Sequence, residues 1–253
     1  MTPEEDELGR YSSQLELEGW TDAVQQRLAS ASAIVVGAGA LGSAAATHLS
    51  AAGVGRLGIV DGDEVAARDL HGASLHFTPD VGRSRADSAA AKLGLLNPDV
   101  QADAYPVAVE GANAEAIVAG ADVVVDCSSS ASTSALANRA CCATGAALVT
   151  GGTRGLRGFV MSTRPGRSAC RACAFEDRDG PLEAAGGALG AVAALVGAIQ
   201  AIEALKFLTG IGTPLLDRVL WLDGADWSHT MTPTSRREDC TACAGLGAQP
   251  QSG

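Results

Sequence analysis

The chain has 253 residues, is 47% hydrophobic but only 4% aromatic, and carries a net charge of -11. That length can bury a large aliphatic core, and the charge argues against nucleic acid or anionic membrane as partners while favouring a basic patch on another protein. The opening MTPEEDELGR is acidic where a secretory leader would be basic, so the expected compartment is the cytoplasm. The two ends, residues 1–9 and 246–253, are polar or small and are expected to be loose.

The run from Ser32 to Asp63 reads as strand, glycine loop, helix and second strand ending in an acid. Ile34 to Val36 are apolar and β-branched, as a strand covered on both faces requires. They lead into Gly37, Gly39 and Gly42, spaced for a tight turn, a close backbone approach to phosphate, and helix-on-strand packing. The phosphate then lies at the positive end of a helix beginning near Leu41. Asp61 closes the second strand at the spacing of about 20 residues at which an acid accepts hydrogen bonds from ribose hydroxyls. The fingerprint marks a nucleotide site without separating NAD, FAD and ATP.

Further along, the pattern predicts a helix over residues 81–96 stopped by Asn97-Pro98, a short strand over 104–109, a buried strand over 121–127, a helix over 134–144 and a strand over 147–150. Residues 159–163 and 219–223 read as strands of a mostly antiparallel extension. The stretch 184–202 contains no charge and approaches membrane-span length, but it is mostly Gly and Ala, and Glu203 and Lys206 follow on the same helix, so it reads as a buried helix. The expected fold is therefore α/β, a doubly wound, Rossmann-like and mostly parallel sheet with a C-terminal antiparallel extension.

Four of the seven cysteines form two Cys-x-x-Cys pairs, Cys170 with Cys173 and Cys240 with Cys243. Two such pairs complete a tetrahedral zinc shell with no open position for water, so the zinc would be structural. It would clip the C-terminal segment to a loop roughly 70 residues earlier. Disulfides are disfavoured by a reducing compartment, and unlinked surface thiols by the paired spacing. Cys127, Cys141 and Cys142 lack such pairing and read as buried, inert side chains.

The order GAGALG, DGDEV, VVVDC, CRAC, QAIEALKFLTG, CTAC resembles the ThiF/MoeB family, the bacterial relatives of ubiquitin-activating enzymes, from about Arg10 to Ala244. The resemblance implies a single domain over residues 1–245. Its nucleotide-binding half spans about 10–150, its carrier, dimer and zinc half about 151–245, and a loose tail covers 246–253. It also implies ATP with Mg²⁺, adenylation of the C-terminus of a ubiquitin-like sulfur carrier or a precursor peptide, and a homodimer or a heterodimer with a related subunit. The small-residue helix around residues 190–202 would lie near the two-fold interface.

Several positions depart from the family pattern. In RYSSQ, Ser13 replaces an arginine that reaches the neighbouring subunit's triphosphate. In DGDEVAARDLHGA, Arg68 and Asp69 replace a Ser-Asn pair, and Gly72 and Ala73 replace an Arg-Gln pair. Arg85 stands for the family lysine, and Ser129 for the metal-binding aspartate. Glu183 occupies the position where some members carry a cysteine. The candidate nucleotide set is Gly37, Gly39, Gly42, Asp61, Asp63, Arg85 and Ser129. Arg68 and Arg85 are the candidate catalytic cations, and Arg154 and Arg157 are read as surface groups rather than inward-turning ones.

Three functions follow from these residues: a nucleotide-binding or partner-binding subunit that has lost adenylation, an adenylyltransferase with a rearranged cation set, and an NAD(P)-dependent oxidoreductase. Gly72→Arg with Ser129→Asp is expected to strengthen Mg²⁺-dependent nucleotide binding.

Overall fold

The computed structural model describes residues 3–175 and 187–246, the side chains of residues 3–8 excepted. Glu183 and the far C-terminus lie outside them. The chain begins with α1 (Pro3–Leu15) and α2 (Asp22–Ala29), then runs β1 (Ser32–Val36), α3 (Ala40–Ala52), β2 (Arg56–Val60), α4 (Arg85–Leu96) and β3 (Gln101–Tyr105). It continues through α5 (Ala114–Val118), β4 (Val123–Asp126), α6 (Ala131–Thr144), β5 (Ala147–Arg154), β6 (Arg157–Thr163), α7 (Arg171–Phe175), α8 (Gly190–Thr209), β7 (Arg218–Asp223) and β8 (Ser228–Pro233). Two short 3-10 turns, Ala67–Asp69 and Thr78–Asp80, separate β2 from α4.

All eight strands form one sheet in the order β3-β2-β1-β4-β5-β6-β7-β8. The first five are mutually parallel and the last three join antiparallel. β1 pairs with β2 on one side and β4 on the other, so the strand order reverses there. In such sheets the crevice at the carboxyl ends beside the reversal is where ligands enter. The central strands β1 and β4 are rich in buried Val and Ile, because helices cover both faces.

Three expectations at element edges need correction. Residues 3–9 are not loose but begin α1, whose Glu- and Leu-containing sequence favours a helix. That helix is anchored where Asn97 Nδ2 donates to the Tyr11 hydroxyl and Gln14 donates to the Ala52 carbonyl. The strand expected over 104–109 ends at Tyr105, since Pro106 has no N–H for the ladder. The helix expected from residue 81 starts at Arg85, where Ser84 caps it by accepting from the Asp87 amide.

The apolar α8 lies against α3 and strands β4 to β6. Its length and composition would suit a membrane span, yet its inner face includes buried Gln200 and Glu203. Both are satisfied within the protein. Gln200 Nε2 donates to the Asp126 carbonyl at 2.7 Å, and Glu203 accepts from the Ser162 hydroxyl and the Leu215 amide. Small residues permit the close approach: a Cβ at Gly197 would lie 2.3 Å from the Leu41 carbonyl oxygen.

Candidate functional site

A cleft of about 560 Å³ opens at the strand reversal. The turn after β1 supplies its floor. Gly37 takes a φ of +94° that L side chains rarely adopt. Space around Gly39 is open, leaving its backbone free to face a ligand, while a Cβ at Gly42 would stand 1.8 Å from the Gly37 carbonyl oxygen. Gly37 and Gly42 thus hold the turn and packing positions that their spacing suggests, and Gly39 leaves its backbone open. Val36, Val60, Val107 and Val109 contribute apolar side chains to the lining of the cleft. Ser128, Ser129 and Ser130 line the side following β4, the last of these also capping α6 by accepting from the Thr133 amide.

Asp61 is fixed by the loop it faces. Its Oδ2 accepts the Ala38 amide at 2.8 Å and its Oδ1 accepts the Asp63 amide at 2.9 Å. Each carboxylate oxygen keeps a further lone-pair direction for a hydroxyl donor. Arg85 projects from the first turn of α4 into the same end of the cleft. Its guanidinium lies 2.8 Å from Asp69, 3.1 Å from Asp63 and 3.7 Å from Asp61. Burial opposes the charge on Arg85, but the hydrogen-bonded Asp69, with Asp61 and Asp63, outweighs it and holds the guanidinium above its ordinary pKa. Asp69 shows the converse: burial pushes its carboxyl up, and the Ala66 amide with Arg85 brings it below its usual value.

Asp69 was noticed in the sequence as a substitution for asparagine, but its partnership with Arg85 was not. The charge of that one substitution was the available signal. Arg68 is exposed on the first 3-10 turn and is not among the lining residues of the cleft. Arg154 is exposed, and Arg157 pairs with Asp223 at 2.7 Å on the surface. Gly72 packs against α8, where a Cβ would stand 3.0 Å from both Ala40 Cβ and Gly190 Cα. An arginine at 72 would therefore require Ala40 and the start of α8 to give by a few tenths of an ångström. Ser13 lies exposed on α1.

Behind the loop runs a buried polar chain that the sequence did not disclose. Lys92 pairs with Asp80 at 2.6 Å and donates to Ser88 Oγ at 2.9 Å. Ser88 Oγ is 3.0 Å from His76 Nδ1, and His76 Nε2 is 2.8 Å from the Ala38 carbonyl oxygen. These contacts are mutually consistent with a neutral imidazole that accepts from Ser88 and donates to Ala38. Burial lowers the His76 pKa, and the positive Lys92 and Arg85 lower it further. Burial likewise raises the carboxyl of Asp126 and the thiol of Cys127, leaving the latter unsuited to nucleophilic work.

Away from the cleft, the sulfurs of Cys170, Cys173, Cys240 and Cys243 are buried and lie within 4.8 Å of one another. The separations are 3.8 Å for 170 to 173, 3.6 Å for 170 to 240 and 3.5 Å for 173 to 243. Four sulfurs each about 2.3 Å from a tetrahedral zinc stand about 3.8 Å apart, so both donors and spacing fit that ion. The Arg237 amide points at Cys173 Sγ and Asn138 Nδ2 at Cys170 Sγ, supplying outer donors of the kind that steady thiolate ligands. Cys141 and Cys142 are both buried as expected, and Cys142 packs beside the four-cysteine cluster.

The model of the ThiF family matches residues 11–242. The chain belongs to the ThiF family. The adenylyltransferase and sulfurtransferase MOCS3 of Mus musculus is 40% identical over 251 residues, 97% of this chain and 54% of that protein. The SAMP-activating enzyme E1 of Haloferax volcanii is 37% identical over 241 residues, 94% of this chain and 89% of that protein. The chain therefore spans about half the length of its MOCS3 relatives and most of the archaeal one. Among solved structures, E. coli MccB with ATP superposes with a TM-score of 0.82 at 19% identity, covering 92% of this chain and 74% of that one. MccB with MccA-N7isoASN gives 0.83 at 18%, covering 94% and 75%. At such identity the likeness establishes the fold. The match lends no support to the oxidoreductase alternative.

Proposed function

We propose that this ThiF-family chain keeps a frame for an adenine nucleoside and for the C-terminal segment of a small ubiquitin-like carrier or precursor peptide, while adenylation itself is lost or strongly reduced. It then acts as a cytoplasmic partner or scaffold subunit in sulfur transfer or peptide modification. The observation that carries this reading is the charge balance of the cleft, where one guanidinium faces three carboxylates.

Adenylation requires a carboxylate to attack the α-phosphorus while pyrophosphate departs, and cations must hold the charge that develops on the leaving oxygens. Arg85 is already held by Asp61, Asp63 and Asp69. Gly72 offers no cation and the space beside it is filled. Ser129 offers a neutral hydroxyl where a hard divalent ion prefers a carboxylate. The loop glycines and Asp61 fit a nucleoside, but the charged residues present do not fit a metal-bound triphosphate.

In the same reading residues 1–245 work as one unit, with zinc on the four cysteines as a structural clip. A second subunit, identical or related, covers Leu195 and Ile202, which α8 leaves exposed. Arg85 does line the cleft, which favours an active enzyme with a rearranged cation set as the second reading. ATP-pyrophosphate exchange separates the two. The purified chain, given ATP, Mg²⁺ and a panel of carriers and peptides ending in glycine or asparagine, is expected to exchange label no faster than a protein-free control. Carrier-dependent exchange well above that control establishes the second reading instead.

A further inference from the structure

We infer that the cleft selects adenine nucleosides of low charge, adenosine or a 5′-monophosphate, over ATP, and that Asp69 is the residue that sets this preference. The inference rests on the reading above that the cleft holds an adenine nucleoside. The parts that would meet a base and a ribose are present: Val36, Val60, Val107 and Val109 in the lining, and Asp61 held by two backbone amides. One phosphate is also provided for by uncharged donors, because the open backbone at Gly39 begins α3 and the hydroxyls of Ser129 and Ser130 line the facing side.

Each further phosphate brings charge that uncharged donors cannot neutralise. Among the described residues lining the cleft, Arg85 is the one guanidinium or ammonium, and three carboxylates surround it at 2.8 to 3.7 Å. A triphosphate would meet a lining whose acids outnumber its bases. Asp69 is decisive within this group. It makes the shortest contact with Arg85 and accepts from both the Nε and the Nη2 of its guanidinium, so its charge is the one set most directly against that cation. Asparagine at this position keeps the oxygen that accepts from Ala66 and Arg85 while removing the charge, so the fold is preserved.

Isothermal titration calorimetry of the full chain with adenosine, AMP and ATP, each with and without Mg²⁺, tests the inference. Without Mg²⁺, adenosine and AMP are expected to bind within about threefold of each other and ATP at least about tenfold more weakly, as two or three uncompensated charges at this range dictate. Asp69→Asn is expected to strengthen ATP binding by about fivefold and to leave adenosine within about twofold of wild type. Asp61→Ala should weaken all three together. Tighter binding of ATP than of adenosine by the wild type overturns the inference, as does an Asp69→Asn variant that shifts both ligands equally, or an absence of binding by all three. Pyrophosphate exchange fails or succeeds independently. Exchange activity with an adenosine preference would sink the proposed function alone, whereas an ATP preference without exchange would sink this inference alone.

Discussion

The cysteine cluster gathers four buried sulfurs within 4.8 Å, the donor set of a closed tetrahedral site, whereas the cleft at the strand reversal gathers one guanidinium and three carboxylates. The two regions differ in what their parts are tied to. The sulfurs of the α7 segment and of a C-terminal turn converge, so zinc bound there would tie the two segments together. The cleft is built at two levels. Its glycine loop is locked by backbone contacts, Gly42 against Gly37 above all. Its charged rim is made of side chains that can change without disturbing the strands beneath. On the proposed reading, a frame for binding persists under a rim that does not supply the charges of phosphoryl transfer, because the first is part of the packing and the second is not.

The largest effect that would break this contrast lies at the cysteines. Cys170→Ser with Cys240→Ser is expected to lower bound zinc from about one per chain to none, and to lower Tm by more than about 10 °C, since metal-binding energy in such sites is folding energy. Metal analysis and calorimetry read both, and a zinc-free wild type of unchanged Tm would contradict the clip. Next comes Gly42→Ala. Its added Cβ meets backbone rather than a flexible side chain, so a loss of about 3 kcal/mol or more in denaturant unfolding is expected, together with loss of nucleoside binding.

Arg85→Ala should cost less, about 1 to 2 kcal/mol, because water at the mouth of the cleft screens part of the repulsion left among Asp61, Asp63 and Asp69. It should leave pyrophosphate exchange at background. A fall in exchange would show that the arginine had been working after all.

The smallest effect concerns pH. His76 is buried with its pKa below the ordinary value, so the unfolded chain binds a proton that the folded chain does not as pH falls below about 6.5. Stability should fall as pH drops through that window toward the folded-state pKa and then level off. His76→Asn should flatten that slope, and an unchanged slope would show that another group is responsible.

Much of this was legible in sequence where backbone constraints leave a signature. Gly37 and Gly42 stand in the turn and packing positions their spacing implies, and the two Cys-x-x-Cys pairs converge into one cluster. The central strands β1, β2, β4 and β5 followed from apolar runs, because a strand buried on both faces can be little else, whereas the half-exposed β3 was placed only in part. β8 was missed because Ser228 to Pro233 is exposed throughout and carries no hydrophobic pattern. The helices α1 and α2 were missed for their polarity. The pairing of Arg85 with Asp69, and of His76 with Ser88 and Ala38, joins residues whose contacts are made by the fold rather than by any local spacing. Charge substitutions could be counted in the sequence, but only their distances show that Arg85 faces three acids at once.

The most direct test of the account puts both regions on one preparation: zinc content and ATP-pyrophosphate exchange of the same purified chain, with Mg²⁺ and the carrier panel present. The account predicts about one zinc per chain with exchange at the level of the protein-free control. Zinc-loaded protein that exchanges pyrophosphate in a carrier-dependent way would contradict it, and would return Arg85 to the transition state.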